Sequence, residues 1–204
     1  MAQTDSQNRT PRTTRLDIAV QAESGVLSRL GLVERETLDA VASGVRDAAL
    51  RIESSGVGAP RFGRVSVRVV GDPTMRALHG RHCGDHTTTD VLTFPQMEQE
   101  AGDGTVDVDI AVCADEAARH AATRGHGVDR ELLLYVVHGL LHCAGHDDHD
   151  DAAYEAMHAE EDRILEAIGV GATFAAAPGA ERGAEAHRDE PTAAMERRGG
   201  EHRP

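Results

Sequence analysis

The chain has 204 residues, a formal net charge of −14 and 40% apolar residues, but only 2% aromatic residues and no tryptophan. This length allows one domain with a sizeable core, which must be built mainly from Val, Leu, Ile and Ala. No segment has the length and hydropathy of a membrane span, and residues 1–15 lack the apolar stretch of a signal peptide. Three cysteines without a Cys-x-x-Cys spacing exclude a disulfide framework. We therefore expect a cytoplasmic protein that does not contact membranes.

The acidic charge argues against non-specific binding of nucleic acid, which normally requires a basic surface. All 21 basic residues are arginines, and Arg61, Arg64 and Arg68 fall close together on one predicted strand. They could form a local basic groove, because guanidinium groups suit phosphate.

Sequence patterns predict one domain between two extensions. Four segments read as strands, residues 16–20, 65–70, 91–94 and 107–112. Five segments read as helices, residues 34–52, 72–78 and 114–124, a buried helix that begins near Asp129, and residues 152–168. This order predicts an α+β fold, in which helices cover a small mixed sheet and a metal site lies at the sheet's edge. Residues 1–15 are predicted to be a flexible N-terminus, residues 16–170 the domain and residues 171–204 a disordered tail.

From Gly169 onward the composition is rich in Ala, Gly, Glu, Arg and Pro. Such a segment has too little apolar periodicity to join a core. Truncation after Val170 is therefore expected to leave folding and metal content intact.

The most informative segment is His138-Gly-Leu-Leu-His142-Cys-Ala-Gly145-His-Asp-Asp148-His149. Histidines four apart on a helix share one face about 6 Å apart, so both can reach one zinc ion. Gly145 can take the left-handed conformation that ends a helix and turns the chain back. Either Asp148 or His149 could then supply a third ligand. The alternative is a pair of core histidines bonded to backbone, which the following turn and acidic cluster do not favour.

The position after His138 separates this pattern from the common metalloprotease motif. His-Glu-x-x-His carries the general base next to its first histidine, whereas this chain has Gly139 there. Glu131 lies on the histidine face but about two turns away, roughly 10 Å from His138, too far to replace that base directly.

Three blocks of the chain resemble the YbeY family of bacterial endoribonucleases. His138-Gly-x-Leu-His142-x-x-Gly145-x-Asp147 resembles the family's His-Gly-x-Leu-His-x-x-Gly-Tyr-Asp-His. Residues 89–95, Thr-Asp-Val-Leu-Thr-Phe-Pro, resemble its Thr-Asp-Val-Leu-Ser-Phe-Pro, and residues 108–112 occupy the place of its Gly-Asp-Ile strand. The blocks occur in the family's order within residues 16–170.

The resemblance implies a zinc-dependent, single-strand-specific endoribonuclease of rRNA maturation and ribosome quality control. It implies single-stranded rRNA precursor as substrate and the ribosome or ribosomal proteins as partners. Two alternatives remain open. One is a metal-dependent hydrolase of another substrate, such as a peptidase, and the other is a non-catalytic ribosome-associated protein with structural zinc.

The chain departs from the family pattern at two places. The family's third zinc ligand is a histidine ten residues after the first, and that position is Asp148 here, followed by His149. Carboxylate and imidazole both ligate zinc, and the family register favours Asp148. The family also has an arginine before the Thr-Asp-Val-Leu block that engages substrate phosphate. That position holds Cys83, and the nearest arginine, Arg81, is the candidate catalytic residue.

Overall fold

A computed structural model describes residues 15–55, 59–97 and 105–174. Within these residues the chain forms four strands, β1 (Asp17–Ala22), β2 (Arg61–Val70), β3 (Val91–Met97) and β4 (Thr105–Cys113). It also forms five helices, α1 (Glu34–Glu53), α2 (Asp72–Cys83), α3 (Ala114–Arg124), α4 (Val128–Cys143) and α5 (Asp151–Ala167). Residues 1–14 and 175–204, which make up nearly all of the predicted N-terminus and tail, lie outside the described residues.

The strands form one mixed sheet in the order β1-β2-β4-β3. β2 runs parallel to both β1 and β4, whereas β3 is antiparallel to β4 and lies at the edge. Parallel neighbours require a crossover connection, which α1 supplies between β1 and β2. The prediction of an α+β fold with a small mixed sheet is confirmed.

The main core lies on one face of the sheet. Alternate residues of β2 and β4 point into it, and they pack with α1, α4 and α5. The opposite face of β2 carries Arg64 and Arg68, which are exposed. Arg64 lies 3.8 Å from the Asp107 carboxylate on β4, which offsets part of its charge. Arg61 is also exposed, so the local basic groove suggested by the arginine spacing stays a prediction.

Helix α4 lies at the centre of the packing. Every residue from Glu131 to Leu141 is buried, and the helix contacts α1, α3, α5, β3 and β4. A helix that is apolar on nearly all sides is expected to be surrounded in this way. No helix among the described residues combines the length and hydropathy that a membrane span requires.

The start of the predicted disordered tail packs on the domain. The Arg130 guanidinium donates to the carbonyl oxygens of Gly171 and Ala172. The Asp162 carboxylate accepts the backbone N–H groups of Thr173 and Phe174 at 2.6 and 3.1 Å. The expectation of disorder from Gly169 therefore does not hold for residues 169–174. Apolar periodicity could not detect this segment, because two charged side chains of the domain hold it mainly through its backbone.

Two truncations test this contact. Ending the chain after Phe174 should leave the free energy of unfolding unchanged, whereas ending it after Val170 should lower it by about 2 kcal/mol. The shorter chain loses hydrogen-bond partners of Asp162 and Arg130, which are partly or wholly buried. Urea denaturation followed by circular dichroism measures the difference. Equal stabilities of the two truncated chains would show that the segment contributes nothing.

Candidate metal centre

Helix α4 brings its two histidines together in its last turns. The Nε2 atoms of His138 and His142 lie 3.0 Å apart, and the rings meet edge to face with centroids 4.5 Å apart. Both side chains are largely shielded from solvent, with exposed fractions of 11% and 22%. The spacing of four residues therefore places two ring nitrogens at one point, as the sequence predicted.

The turn after α4 brings the Asp148 carboxylate back to the two histidines. Gly145 has a φ of +90°, which favours glycine, and the His146 N–H donates to the carbonyl of Leu141. Asp148 then lies with its two carboxylate oxygens 3.8 Å from His138 Nε2 and 3.9 Å from His142 Nε2. Ligand atoms of the three residues all lie within 4.8 Å of one another.

His149 is placed differently. Its side chain is 58% exposed, and its Nδ1 lies 3.2 Å from Asp147 and 3.7 Å from Asp148. These three residues form a second, more exposed group that does not include the α4 histidines. Of the two candidates for the third ligand, the structure thus brings Asp148 and not His149 to His138 and His142.

Hydrogen bonds orient both imidazoles. The Nδ1 of His138 lies 2.7 Å from Glu161 Oε1 on α5, and the Nδ1 of His142 lies 3.1 Å from the carbonyl oxygen of His146. Both Nδ1 atoms face acceptors, so they act as donors, and the two Nε2 atoms face each other. Two Nε2 atoms 3.0 Å apart must share a proton or a bound cation. Tetrahedral zinc would separate the nitrogens by about 3.3 Å, so the donor set fits such an ion.

The electrostatics of the site favour positive charge. Burial opposes protonation of His138, but the hydrogen bond to Glu161 and the carboxylates of Glu161, Asp90 and Asp148 raise its pKa to about 9. Burial and the neighbouring His138 lower the pKa of His142. Burial acts to raise the pKa of Glu161, yet its hydrogen bonds with His138 and His158 lower that pKa overall. The carboxylates thus stabilise one positive charge at a point where two imidazoles meet.

The sequence analysis missed Glu161. This residue is 1% exposed and lies 23 positions after His138, on another helix. The sequence does indicate that Glu161 is buried, because it shares the apolar stripe of α5 with Met157, Ile164 and Leu165. A carboxylate on a buried stripe requires a partner, and this one accepts hydrogen bonds from two histidines.

Gly139 allows α4 to lie against the edge strand. A Cβ atom at this position would be 2.4 Å from Oγ1 of Thr93 on β3. A side chain at this position would require Thr93 or the helix to shift. The contact also joins two of the motif blocks, the segment around Thr93 and the segment around the histidines.

A cavity of about 210 Å³ is lined by two of the three donors, His138 and Asp148. His138, Asp148 and Asp90 line it together with the rings of Tyr135, Tyr154 and Phe174. Arg81 is exposed on the last turn of α2 and does not line this cavity. Among its described lining residues the arginine is Arg124, which pairs with the buried Glu131. The structure therefore does not bring Arg81 to the site.

Comparison with known proteins identifies close relatives. A family model described as Endoribonuclease YbeY matches residues 32–169. The Endoribonuclease YbeY of Thermus thermophilus is 37% identical over 123 residues, which cover 59% of this chain and 85% of the relative. That of Chelativorans is 32% identical over 137 residues, which cover 66% of this chain and 84% of the relative. That of Deinococcus radiodurans is 45% identical over 86 residues, which cover 41% of this chain and 54% of the relative.

A solution structure from Thermotoga maritima aligns with 82% of this chain and 100% of its own, with a TM-score of 0.45 and 22% sequence identity. The family assignment rests on the sequence matches alone. The family model covers more than half of the chain and includes the three donors and the β3 and β4 blocks. The chain therefore belongs to the YbeY family.

Proposed function

We propose that this protein is a zinc-dependent endoribonuclease that cleaves single-stranded RNA during rRNA maturation and ribosome quality control in the cytoplasm. The ribosome or its proteins would present the substrate. The observation that carries the proposal is the convergence of His138, His142 and Asp148 beside a cavity. Relatives named Endoribonuclease YbeY support the endoribonuclease activity, and the role in rRNA maturation is what membership of the YbeY family implies.

In this proposal His138, His142 and Asp148 hold the zinc ion. Two imidazoles and one carboxylate are typical of catalytic zinc sites, which use three protein ligands, whereas structural sites normally use four. Among the described residues this metal-binding group has three members, not the four of a typical structural zinc site. This count argues against a non-catalytic protein with structural zinc. When bound, the ion would polarise a phosphoryl oxygen and lower the pKa of a water molecule.

The chain's own residues prepare the site for this ion. The Glu161 carboxylate and the His146 carbonyl hold the Nδ1 protons of the two histidines, which leaves both Nε2 atoms available. Peptidase activity is disfavoured, because Gly139 stands where metalloproteases of the His-Glu-x-x-His type carry the glutamate that serves as general base. Arg81 has no role in this proposal, because it does not line the cavity.

The ligand assignment predicts different effects for neighbouring residues. We expect about one zinc per purified chain, lost in His138→Ala, His142→Ala and Asp148→Ala, because two protein ligands are too few to retain it. His149→Ala, which removes an exposed side chain, should retain zinc with at most a tenfold loss of affinity. Elemental analysis and competition with a chromophoric chelator measure content and affinity. Loss of zinc in His149→Ala with retention in Asp148→Ala would instead assign His149 as the third ligand.

Glu161 should strengthen metal binding without touching the ion. Glu161→Gln keeps the shape but removes one of the two carboxylate acceptors and the negative charge, so zinc affinity should fall about 10- to 100-fold. Glu160→Gln is the matched control, because the Glu160 carboxylate forms an ion pair with Arg163 and is not the acceptor of the His138 or His142 ring. Equal affinities of the two variants in the same chelator competition would contradict the role of Glu161.

The activity itself is tested by giving one preparation two substrates. The protein should cleave a single-stranded RNA and leave casein intact, and a chelator should abolish cleavage until zinc is restored. His138→Ala should be inactive at every zinc concentration tested, whereas His149→Ala should keep most of its activity. Cleavage of casein, or RNA cleavage that persists in His138→Ala, would refute the proposed function.

A further inference from the structure

The wall of the cavity next to the three donors is unusually aromatic for this chain. The full sequence has five Phe and Tyr residues, and three of them, Tyr135, Tyr154 and Phe174, line this cavity. Tyr154 is also 37% exposed, and the two other large apolar side chains exposed in the described residues, Val33 and Leu50, are aliphatic. A single exposed ring is ordinary on a protein surface. An exposed ring in the same cavity as a metal-binding group requires a separate explanation.

The Tyr154 ring packs against a cluster of two further rings, those of His158 and Phe174. Its ring meets the His158 ring edge to face with centroids 4.0 Å apart, and His158 lies against Phe174 at 3.8 Å with a 32° tilt. Phe174 is fixed in turn by the bonds of its backbone N–H to Asp162 and by the Arg124 guanidinium, 5.2 Å from the ring centroid. Such a cluster restricts the motion of Tyr154, so little entropy is lost when a flat ligand stacks on it.

The same cluster is connected to the metal-binding group. His158 Nδ1 lies 2.7 Å from Glu161 Oε2, and the other oxygen of that carboxylate lies 2.7 Å from His138 Nδ1. The ring cluster and His138 therefore share the Glu161 carboxylate as well as a cavity.

We propose that Tyr154, supported by the His158–Phe174 ring pair, is a stacking subsite for one nucleobase of the RNA strand whose phosphate lies at His138, His142 and Asp148. The inference rests on the proposed RNA substrate. Stacking on Tyr154 adds affinity without requiring a positive surface, which suits a chain with a net charge of −14. It also favours single strands, since bases in a duplex are already stacked on each other.

A comparison of adenosine 5′-monophosphate with ribose 5-phosphate tests the subsite without any cleavage. Both probes offer a phosphate to the zinc-loaded protein, but only the first has a base. Calorimetry should show that the zinc-loaded wild type binds the nucleotide more tightly than ribose 5-phosphate. Tyr154→Leu should weaken nucleotide binding about 5- to 10-fold and leave ribose 5-phosphate unchanged, whereas Tyr154→Trp should retain the preference. Phe94→Leu is the control, because Phe94 packs beside His82 and does not line the cavity.

Fluorescence then locates the bound base. The chain has no tryptophan and two tyrosines, so Tyr135→Phe leaves Tyr154 as the one tyrosine emitter. The nucleotide should quench its emission saturably, and ribose 5-phosphate should not. A nucleotide that binds no more tightly than ribose 5-phosphate, or equally well to Tyr154→Leu and wild type, overturns the subsite even if RNA is cleaved. Selective nucleotide binding in a protein that cleaves no RNA would instead support the subsite and refute the proposed function.

Discussion

The burial of α4 from Glu131 to Leu141 is the constraint on which the rest of the structure depends. A helix surrounded on all sides must find partners inside the protein for each of its polar side chains, because unpaired buried charges are costly. Glu131, near its start, meets Arg124 and lies 3.0 Å from His126 Nε2. His138, near its end, meets Glu161. The two ends of α4 thus require charged partners from α3 and α5, and these requirements fix how the neighbouring helices pack around it.

The site lies where this buried helix reaches the surface. His138 is almost enclosed, His142 is one turn closer to solvent, and Asp148 follows on the turn beyond. Gly139 lets the same turn of the helix press against Thr93 on the edge strand. The two motif blocks, although separated by more than forty residues, are therefore parts of one contact. This contact sets the distance between the donors and the strand that carries Asp90 into the cavity.

Features that arise from local sequence were predicted well. Near neighbours in the chain determine the helical periodicity of apolar residues in α1, the alternation of apolar residues in β4 and the four-residue spacing of the α4 histidines. Each of these features lies where it was expected. β2 begins earlier than predicted, at Arg61, because an irregularity between Phe62 and Val65 interrupts the alternation by which a strand is recognised. The roles of Glu161, Arg124 and Phe174 depend on contacts between distant segments. Arg81 was selected by its distance along the chain, which did not correspond to proximity in space.

The three donors differ in how firmly the protein holds them. His138 lies within the buried part of α4 and His142 follows it by one turn, so the backbone of both belongs to a helix that packs in the core. Asp148 belongs to a turn that begins at Gly145 and is held by a few local hydrogen bonds. Changing the length or the ligand type of that turn costs the core almost nothing. A histidine or an aspartate can therefore occupy position 148 without any change in the packing of α4.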